Sequence, residues 1–176
     1  MLIYITGGAR SGKSRYAQDL ARKLAKKVVF VATATPSDAN LRQRIARHRR
    51  ERPKAWRTIE NPVDLASIFS RIDRRTELVL VDCLTLYVSG RLMEGENESK
   101  IGKRVQKFCH AAAAKPITTV LVSNEVGSGL VPTTDLGLKF RDYLGRANQI
   151  AAHYADEVIL MVSGLAMPIK GGAHGR

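Results

Sequence analysis

One eight-residue segment near the amino terminus constrains the fold more than any other part of the chain. Residues 7–14 read Gly-Gly-Ala-Arg-Ser-Gly-Lys-Ser and match the pattern G-x-x-x-x-G-K-[ST] of a phosphate-binding loop. An apolar run at residues 2–6 predicts a buried strand before the loop, and residues 15–24 have the periodicity of a helix after it. A glycine-rich turn with a lysine by chance is the alternative, but the matching flanks favour a site for a nucleoside triphosphate.

The residue types in this loop suit the binding of phosphate groups. Glycines allow backbone N–H groups to surround phosphate oxygens, and the helix that follows adds the positive end of its dipole. Lys13 supplies a charge to the β- and γ-phosphates, and the Ser14 hydroxyl is a candidate ligand for Mg²⁺. The predicted nucleotide-binding residues of the loop are Gly7, Gly8, Ala9, Arg10, Ser11, Gly12, Lys13 and Ser14.

Strands and helices alternate along the rest of the chain. Apolar runs predict further buried strands at residues 28–32, 77–82, 118–123 and 156–162, with shorter pieces at 57–59 and 166–170. Helices are predicted from Asp38 to about Arg52, from an Asn61 cap to about Arg71, and over residues 84–92, 101–112 and 135–154. This order predicts one α/β domain over residues 1–170, with a mostly parallel central sheet flanked by helices. Residues 171–176 are expected to form a disordered tail.

Composition narrows the classes of partner. The formal net charge of +13 over 176 residues predicts polyanionic partners, either nucleic acid or phosphorylated small molecules. No apolar run approaches a membrane span, and no signal peptide precedes the first strand, so we expect a cytoplasmic protein. Cys83 and Cys109 have no metal-ligand spacing and are expected to be buried apolar residues in a reducing compartment.

Ligands of open parallel sheets bind at the carboxyl ends of the strands. This rule predicts that the phosphate loop, Thr33 to Thr35, Asp82 and residues 124–129 are neighbours in space. Asp82 ends an apolar strand and is a candidate ligand for Mg²⁺, although it could also cap the next helix. No Asn-Lys-x-Asp motif for guanine recognition occurs in the chain.

The helix after Asp38 is rich in arginine and allows two interpretations. Leu41, Ile45, His48 and Arg52 form one stripe of this helix. A solvated basic face over residues 42–52 would suit a nucleotide-dependent nucleic-acid-binding protein. Alternatively, the arginines hold a triphosphate and favour a neutral His48 imidazole, which is a good nucleophile toward phosphorus.

Seven blocks together resemble a known family, the bifunctional adenosylcobinamide kinase/adenosylcobinamide-phosphate guanylyltransferases of cobalamin biosynthesis. The blocks occur in order at residues 6–15, 32–34, 44–48, 56–60, 81–86, 123–129 and 140–149. The resemblance extends over residues 2–170. It implies a RecA-like P-loop fold and a homotrimer.

The resemblance also implies two reactions and their residues. The enzyme would phosphorylate adenosylcobinamide with ATP or GTP, and would then transfer GMP from GTP to that phosphate through a guanylylated His48. The corrinoid and the nucleotides would be its partners, with no nucleic acid. Beyond the phosphate loop, the implied nucleotide contacts are Thr33, Ala34, Thr35, Arg49, Arg50, Glu51, Arg52, Glu60 and Asp82.

Overall fold

A computed structural model describes residues 1–34, 43, 46, 49–50 and 52–171. Within these residues the chain builds a seven-stranded sheet with the strand order β3-β2-β4-β5-β1-β6-β7. The strands are β1 (Leu2–Gly7), β2 (Val28–Ala32), β3 (Arg57–Glu60), β4 (Leu78–Asp82), β5 (Thr118–Val122), β6 (Glu157–Val162) and β7 (Leu165–Lys170). Six strands pair in parallel and β7 pairs antiparallel with β6. The predicted α/β class and mostly parallel sheet are therefore confirmed.

Helices connect the strands as the parallel order requires. The helices are α1 (Lys13–Leu24), α2 (Ile68–Arg71), α3 (Leu84–Met93), α4 (Glu98–Ala113) and α5 (Asp135–Tyr154), and a 3₁₀ turn (Leu65–Ser67) precedes α2. Side chains cap two of the long helices, because Asn97 accepts from the N–H of Lys100 and Thr134 accepts from the N–H of Gly137. The predicted bounds of α5 match those in the structure.

The sheet separates two cores, as the alternation of side chains along a strand dictates. On one face, Tyr4 and Leu121 pack with α4, α5 and the 3₁₀ turn, and Phe108 lies at the centre of that cluster. On the other face, Ile5 and Val120 pack against α1. The apolar residues Ile101, Val105, Phe108 and Ala112, whose helical spacing predicts one face of α4, are all buried. Burial on both faces explains why the central strands are almost continuously apolar.

The predicted start of the helix at Asn61 is wrong. The Asn61 backbone has a φ of 45°, and its N–H donates to the carbonyl oxygen of Ala32 at 2.8 Å. This bond holds the chain against β2, so the chain cannot turn into a helix at that point. Instead, the Asp64 carboxylate accepts from the N–H of Ala66 at 3.0 Å and caps the 3₁₀ turn.

Two predictions fall partly or wholly outside the described residues. Residues 43, 46, 49 and 50 are helical, but the other positions of the predicted helix before Arg52 are not described. The predicted tail is described only at Gly171. In the part of the chain that the structure covers, no helix combines the length and apolar character needed to cross a membrane.

Candidate nucleotide site

The phosphate loop joins β1 to α1 at the carboxyl edge of the sheet. Gly7 has a φ of 148°, and a Cβ at this position would clash with the carbonyl oxygen of Met161. Gly12, at the amino cap of α1, has a φ of 94°. The two glycines therefore meet backbone requirements that other residues satisfy poorly. The first turn of α1 contains no acidic residue, so its N–H groups suit an anionic ligand.

Lys13 lies folded over this loop. Its Nζ donates to the carbonyl oxygen of Gly8 at 2.6 Å and lies 3.4 Å from Ser11 Oγ. Burial lowers the pKa of Lys13, and the charge of Asp82 opposes that shift. The ammonium group of Lys13 thus lies beside the loop whose backbone would surround phosphates. Ser14, the next residue of α1, is partly buried.

The strand ends that were predicted to be neighbours meet at this edge. The N–H of Glu125 donates to the carbonyl oxygen of Gly7 at 2.9 Å, which ties the loop after β5 to the phosphate loop. Thr33 Oγ1 donates to the Cys83 carbonyl oxygen at 2.6 Å and accepts from the Cys83 N–H at 2.8 Å. These bonds hold the end of β2 against the end of β4. The peptide bond between Asp82 and Cys83 is cis.

Two arginines from the basic segment reach the same edge. Arg49 forms an ion pair with Glu60, the last residue of β3. Arg52 donates to Thr58 Oγ1 at 2.8 Å, and its guanidinium carbon lies 3.5 Å from the centroid of the Phe30 ring. Burial lowers the pKa of Arg52, and the charge of Asp82 opposes that shift. Arg52 is thus partly buried and bonded within the protein, which removes one charge from the solvated face proposed for nucleic acid, whereas the Arg49 side chain stays about half exposed.

A buried polar network under the loop after β5 was not predicted from the sequence. Ser123 Oγ donates to Asn148 Oδ1 at 2.7 Å, and Asn148 Nδ2 donates to the carbonyl oxygen of Asn124 at 2.9 Å. Thr85 Oγ1 accepts from the N–H of Asn124 at 2.7 Å. Asn148 occupies the buried stripe of α5. A polar residue on an otherwise apolar helix face was the signal for this network.

The two thiols are buried and free. Burial raises the pKa of Cys83 to about 11 and that of Cys109 to about 12. Thiolates, which are the nucleophilic and metal-binding form, are therefore disfavoured at neutral pH. The prediction that both cysteines are buried apolar residues fits this environment.

Several predicted site residues cannot be located. Thr35, His48 and Glu51 lie outside the described residues, whereas Ala34 is partly buried after β2 and Arg50 is exposed. Across the part of the chain that the structure describes, no three His, Cys, Asp or Glu side chains cluster as metal ligands. The described part of the site thus offers a phosphate loop, a carboxylate at a strand end and two arginines.

Comparison with solved structures supports the fold. A KaiC-like protein from the hyperthermophilic archaeon Pyrococcus horikoshii aligns with a TM-score of 0.55 at 18% sequence identity, over 90% of this chain and 71% of that chain. At this identity the likeness concerns the fold alone.

Comparison with protein families and curated sequences is more specific. The model of the family described as cobinamide kinase / cobinamide phosphate guanyltransferase matches residues 3–169. The bifunctional adenosylcobalamin biosynthesis protein CobP of Pseudomonas aeruginosa is 39% identical over 95% of this chain and 96% of its own length. The CobU proteins of Escherichia coli and Salmonella typhimurium are 38% and 39% identical, each over 97% of this chain and their full length. The chain therefore belongs to the cobinamide kinase / cobinamide phosphate guanyltransferase family, the bifunctional enzymes of adenosylcobalamin biosynthesis.

Proposed function

We propose that both reactions of this family use the nucleotide site at the carboxyl edge of the sheet. In the first, the aminopropanol hydroxyl of adenosylcobinamide attacks the γ-phosphorus of ATP or GTP. A new O–P bond forms, the bond between the γ-phosphorus and its bridging oxygen breaks, and the hydroxyl proton is released. Lys13 and the N–H groups of the loop stabilise the charge on the transferring phosphoryl group and on the departing diphosphate.

The second reaction is a guanylyl transfer through His48. A ring nitrogen of His48 attacks the α-phosphorus of GTP, and pyrophosphate leaves as the α–β bridging bond breaks. An oxygen of cobinamide phosphate then attacks the same phosphorus and displaces the histidine, which yields adenosylcobinamide-GDP. Covalent catalysis of this kind replaces one difficult displacement by two easier ones.

The observation that carries the proposal is the position of the arginines beside His48 in the chain. Arg49 is joined to His48 by one peptide bond, and it pairs with Glu60 at the strand end next to β2. Arg52 packs over the Phe30 ring and donates to Thr58 Oγ1. Arg49 and Arg52 are thus held against β3 and β2, and the charge of Asp82 acts on both Arg52 and Lys13. Arginine binds phosphate oxygens well, so the same groups suit the departing pyrophosphate.

The residues at this edge also fit a magnesium ion. Mg²⁺ binds hard oxygen ligands and commonly uses only one or two protein groups, with water and substrate phosphates completing its shell. The Ser14 hydroxyl and the Asp82 carboxylate are the groups that we propose as its ligands. When bound, the ion would neutralise charge on the phosphates. The roles of Lys13, Arg49 and Arg52 do not depend on it.

Intact mass after incubation with GTP and Mg²⁺ tests the histidine step. We expect the wild-type protein to gain one GMP, and we expect His48→Ala to gain none while it retains cobinamide phosphorylation. His153→Ala is the control, because His153 lies on the exposed surface of α5 against Tyr154 and should leave the adduct intact. An adduct that survives in His48→Ala, or loss of both activities in a folded variant, would refute this division of roles.

We further infer a homotrimer that acts in the cytoplasm, where ATP and GTP are available. The antiparallel edge strand β7 supports assembly, since Leu165, Met167 and Ile169 alternate along it as exposed apolar side chains. The buried free thiols suit a reducing compartment. Light scattering measures the mass of the assembly, and a monomeric mass at working concentration would contradict the trimer.

A further inference from the structure

Three large apolar side chains lie exposed within seven residues, in a segment whose start is bonded to the phosphate loop. Leu130 is 96% exposed, Val131 69% and Leu136 48%. They belong to the segment between β5 and the first turn of α5, and we call Leu130, Val131 and Leu136 the apolar lip. Exposed apolar side chains grouped along one segment are a feature that binding surfaces share.

Both ends of the segment that carries the lip are fixed. At its start, the N–H of Glu125 donates to the carbonyl oxygen of Gly7 at 2.9 Å. At its end, Pro132 packs so closely over Gly137 that a Cβ on that glycine would lie 2.7 Å from the proline Cβ. The Thr134 side chain then caps α5. The segment that carries the lip is therefore tied to the phosphate loop at one end and to α5 at the other.

A shallow, open cleft of about 400 Å³ lies between Gly127 of this loop, the start of α4 and α5. Its lining includes Glu98, Gly127, Arg141, Asp142, Arg146 and Gln149. The two arginines and two carboxylates cancel in formal charge, and Arg141 is already paired with Asp142 at 3.0 Å. In a chain of net charge +13, a neutral polar cleft is poorly suited to phosphates. Amide groups suit it better, since they both donate and accept hydrogen bonds.

We propose that the lip and the cleft bind the corrinoid part of the substrate. The corrin ring is a flat macrocycle with apolar faces and a rim of amide side chains, so the lip would contact a face and the cleft would receive amides. The aminopropanol arm of cobinamide would then extend to the phosphate loop, to which the start of the same segment is bonded. This assignment rests on the proposed use of one site for both reactions. A second copy of the chain fits less well, because three side chains form a small patch beside the ~800 Å² that each partner contributes to a typical interface.

Kinase kinetics with adenosylcobinamide test the assignment. We expect Leu130→Ser and Val131→Ser each to raise the KM for the corrinoid ~10-fold, and the double variant to raise it ~100-fold, from the loss of apolar contact. The KM for ATP should stay within ~2-fold, because these substitutions change no residue of the phosphate loop. Gln149→Ala should raise the corrinoid KM ~5-fold through one lost hydrogen bond. Thr133→Ala, an exposed change on the same segment, is the control and should alter neither constant.

Two further measurements separate the possible failures. GMP adduct formation from GTP alone needs no corrinoid, so the lip variants should retain it, which also shows that they fold. An unchanged corrinoid KM in the double variant would overturn the proposal. A change in the mass of the double variant's assembly would also overturn it, because the lip would then be a contact between subunits. A wild-type protein that forms no GMP adduct would refute the histidine step, and the corrinoid KM of the kinase reaction would still decide the role of the lip.

Discussion

Replacing Asn148 by alanine should weaken both the fold and the site. The substitution removes the acceptor of Ser123 Oγ and the donor to the Asn124 carbonyl oxygen, bonds of 2.7 and 2.9 Å. Ser123 is fully buried and Asn148 is 7% exposed, so water does not readily replace the lost partners. A polar group left unsatisfied costs roughly 1–3 kcal/mol, and we expect Asn148→Ala to lower the free energy of unfolding by about 2–4 kcal/mol. For a chain of this size, that corresponds to a fall in Tm of roughly 4–16 °C.

Thermal and urea unfolding measure this loss, with Lys139→Ala as the control. Lys139 is exposed on the same helix, so its change should stay within about 0.5 kcal/mol. The activity should fall as well, because the network supports the loop that is bonded to Gly7. We expect the kinase kcat of Asn148→Ala to fall ~10-fold or more, as displaced catalytic groups usually cause. Unfolding indistinguishable from that of Lys139→Ala would refute the role of the network.

Asn148→Asp gives a second test with a distinct signature in pH. The introduced carboxyl can still accept from Ser123, but it donates to the Asn124 carbonyl oxygen only when protonated. Burial beside that oxygen favours the neutral form, so the pKa of this carboxyl in the folded state should exceed the unfolded value of about 3.9. The destabilisation relative to wild type should therefore be smallest at acidic pH and should grow as the pH rises through the folded-state pKa. A destabilisation that does not depend on pH would contradict the assigned hydrogen bonds.

Three more predictions follow from the site and the core. Lys13→Ala should lower the rates of both reactions at saturating nucleotide, because it removes about 2–4 kcal/mol of transition-state stabilisation. Lys23→Ala, at the exposed end of α1, is the control and should leave both rates unchanged. Equal rates for the two variants would refute the role of Lys13. Asp82→Asn should raise the Mg²⁺ concentration needed for half-maximal rate, and an unchanged titration would leave Asp82 without a role in metal binding. Burial raises the pKa of Cys83 to about 11 and that of Cys109 to about 12, so both thiols ionise in the unfolded state before they ionise in the folded state. The free energy of unfolding should therefore fall as the pH rises above the ordinary thiol pKa of 9.0. Urea midpoints between pH 8 and 10.5 measure that fall, which should be smaller when both cysteines are replaced by alanine.

Local patterns were sufficient to predict most of the fold. The strands are continuous apolar runs because the sheet is covered on both faces, and α5 has caps and a periodic stripe within its own sequence. The edge strand β7 could be identified because Pro168 is tolerated only where a strand lacks a full set of partners. The parallel order of the strands was enough to predict that the phosphate loop, Thr33 and Asp82 lie at the same edge of the sheet.

What the sequence did not predict depends on contacts between distant residues. Asn61 has the ordinary signature of a helix cap, yet its N–H bonds to β2 and the helix begins later. The loop after β5 could be placed at the site, but its support by Asn148 and Thr85 joins three elements that no local pattern connects. The apolar lip was missed for a different reason. Exposure is a property of the folded chain, and Leu130 and Val131 read as ordinary apolar residues in the sequence.

Arg49 and Arg52 make different contacts in the protein, and they would therefore play different parts in the proposed phosphate site. Arg49 pairs with Glu60 through side chains that are each about half exposed, and such a pair contributes little to stability. A phosphate offers the guanidinium the same two-bond geometry as a carboxylate, so Arg49 could exchange Glu60 for a phosphate oxygen at little cost. Arg52 differs, because its side chain is packed on Phe30 and bonded to Thr58, and burial lowers its pKa although the charge of Asp82 opposes that shift. In the proposed site, Arg49 would therefore be free to change partners while Arg52 stays in place, as the binding and release of pyrophosphate would require.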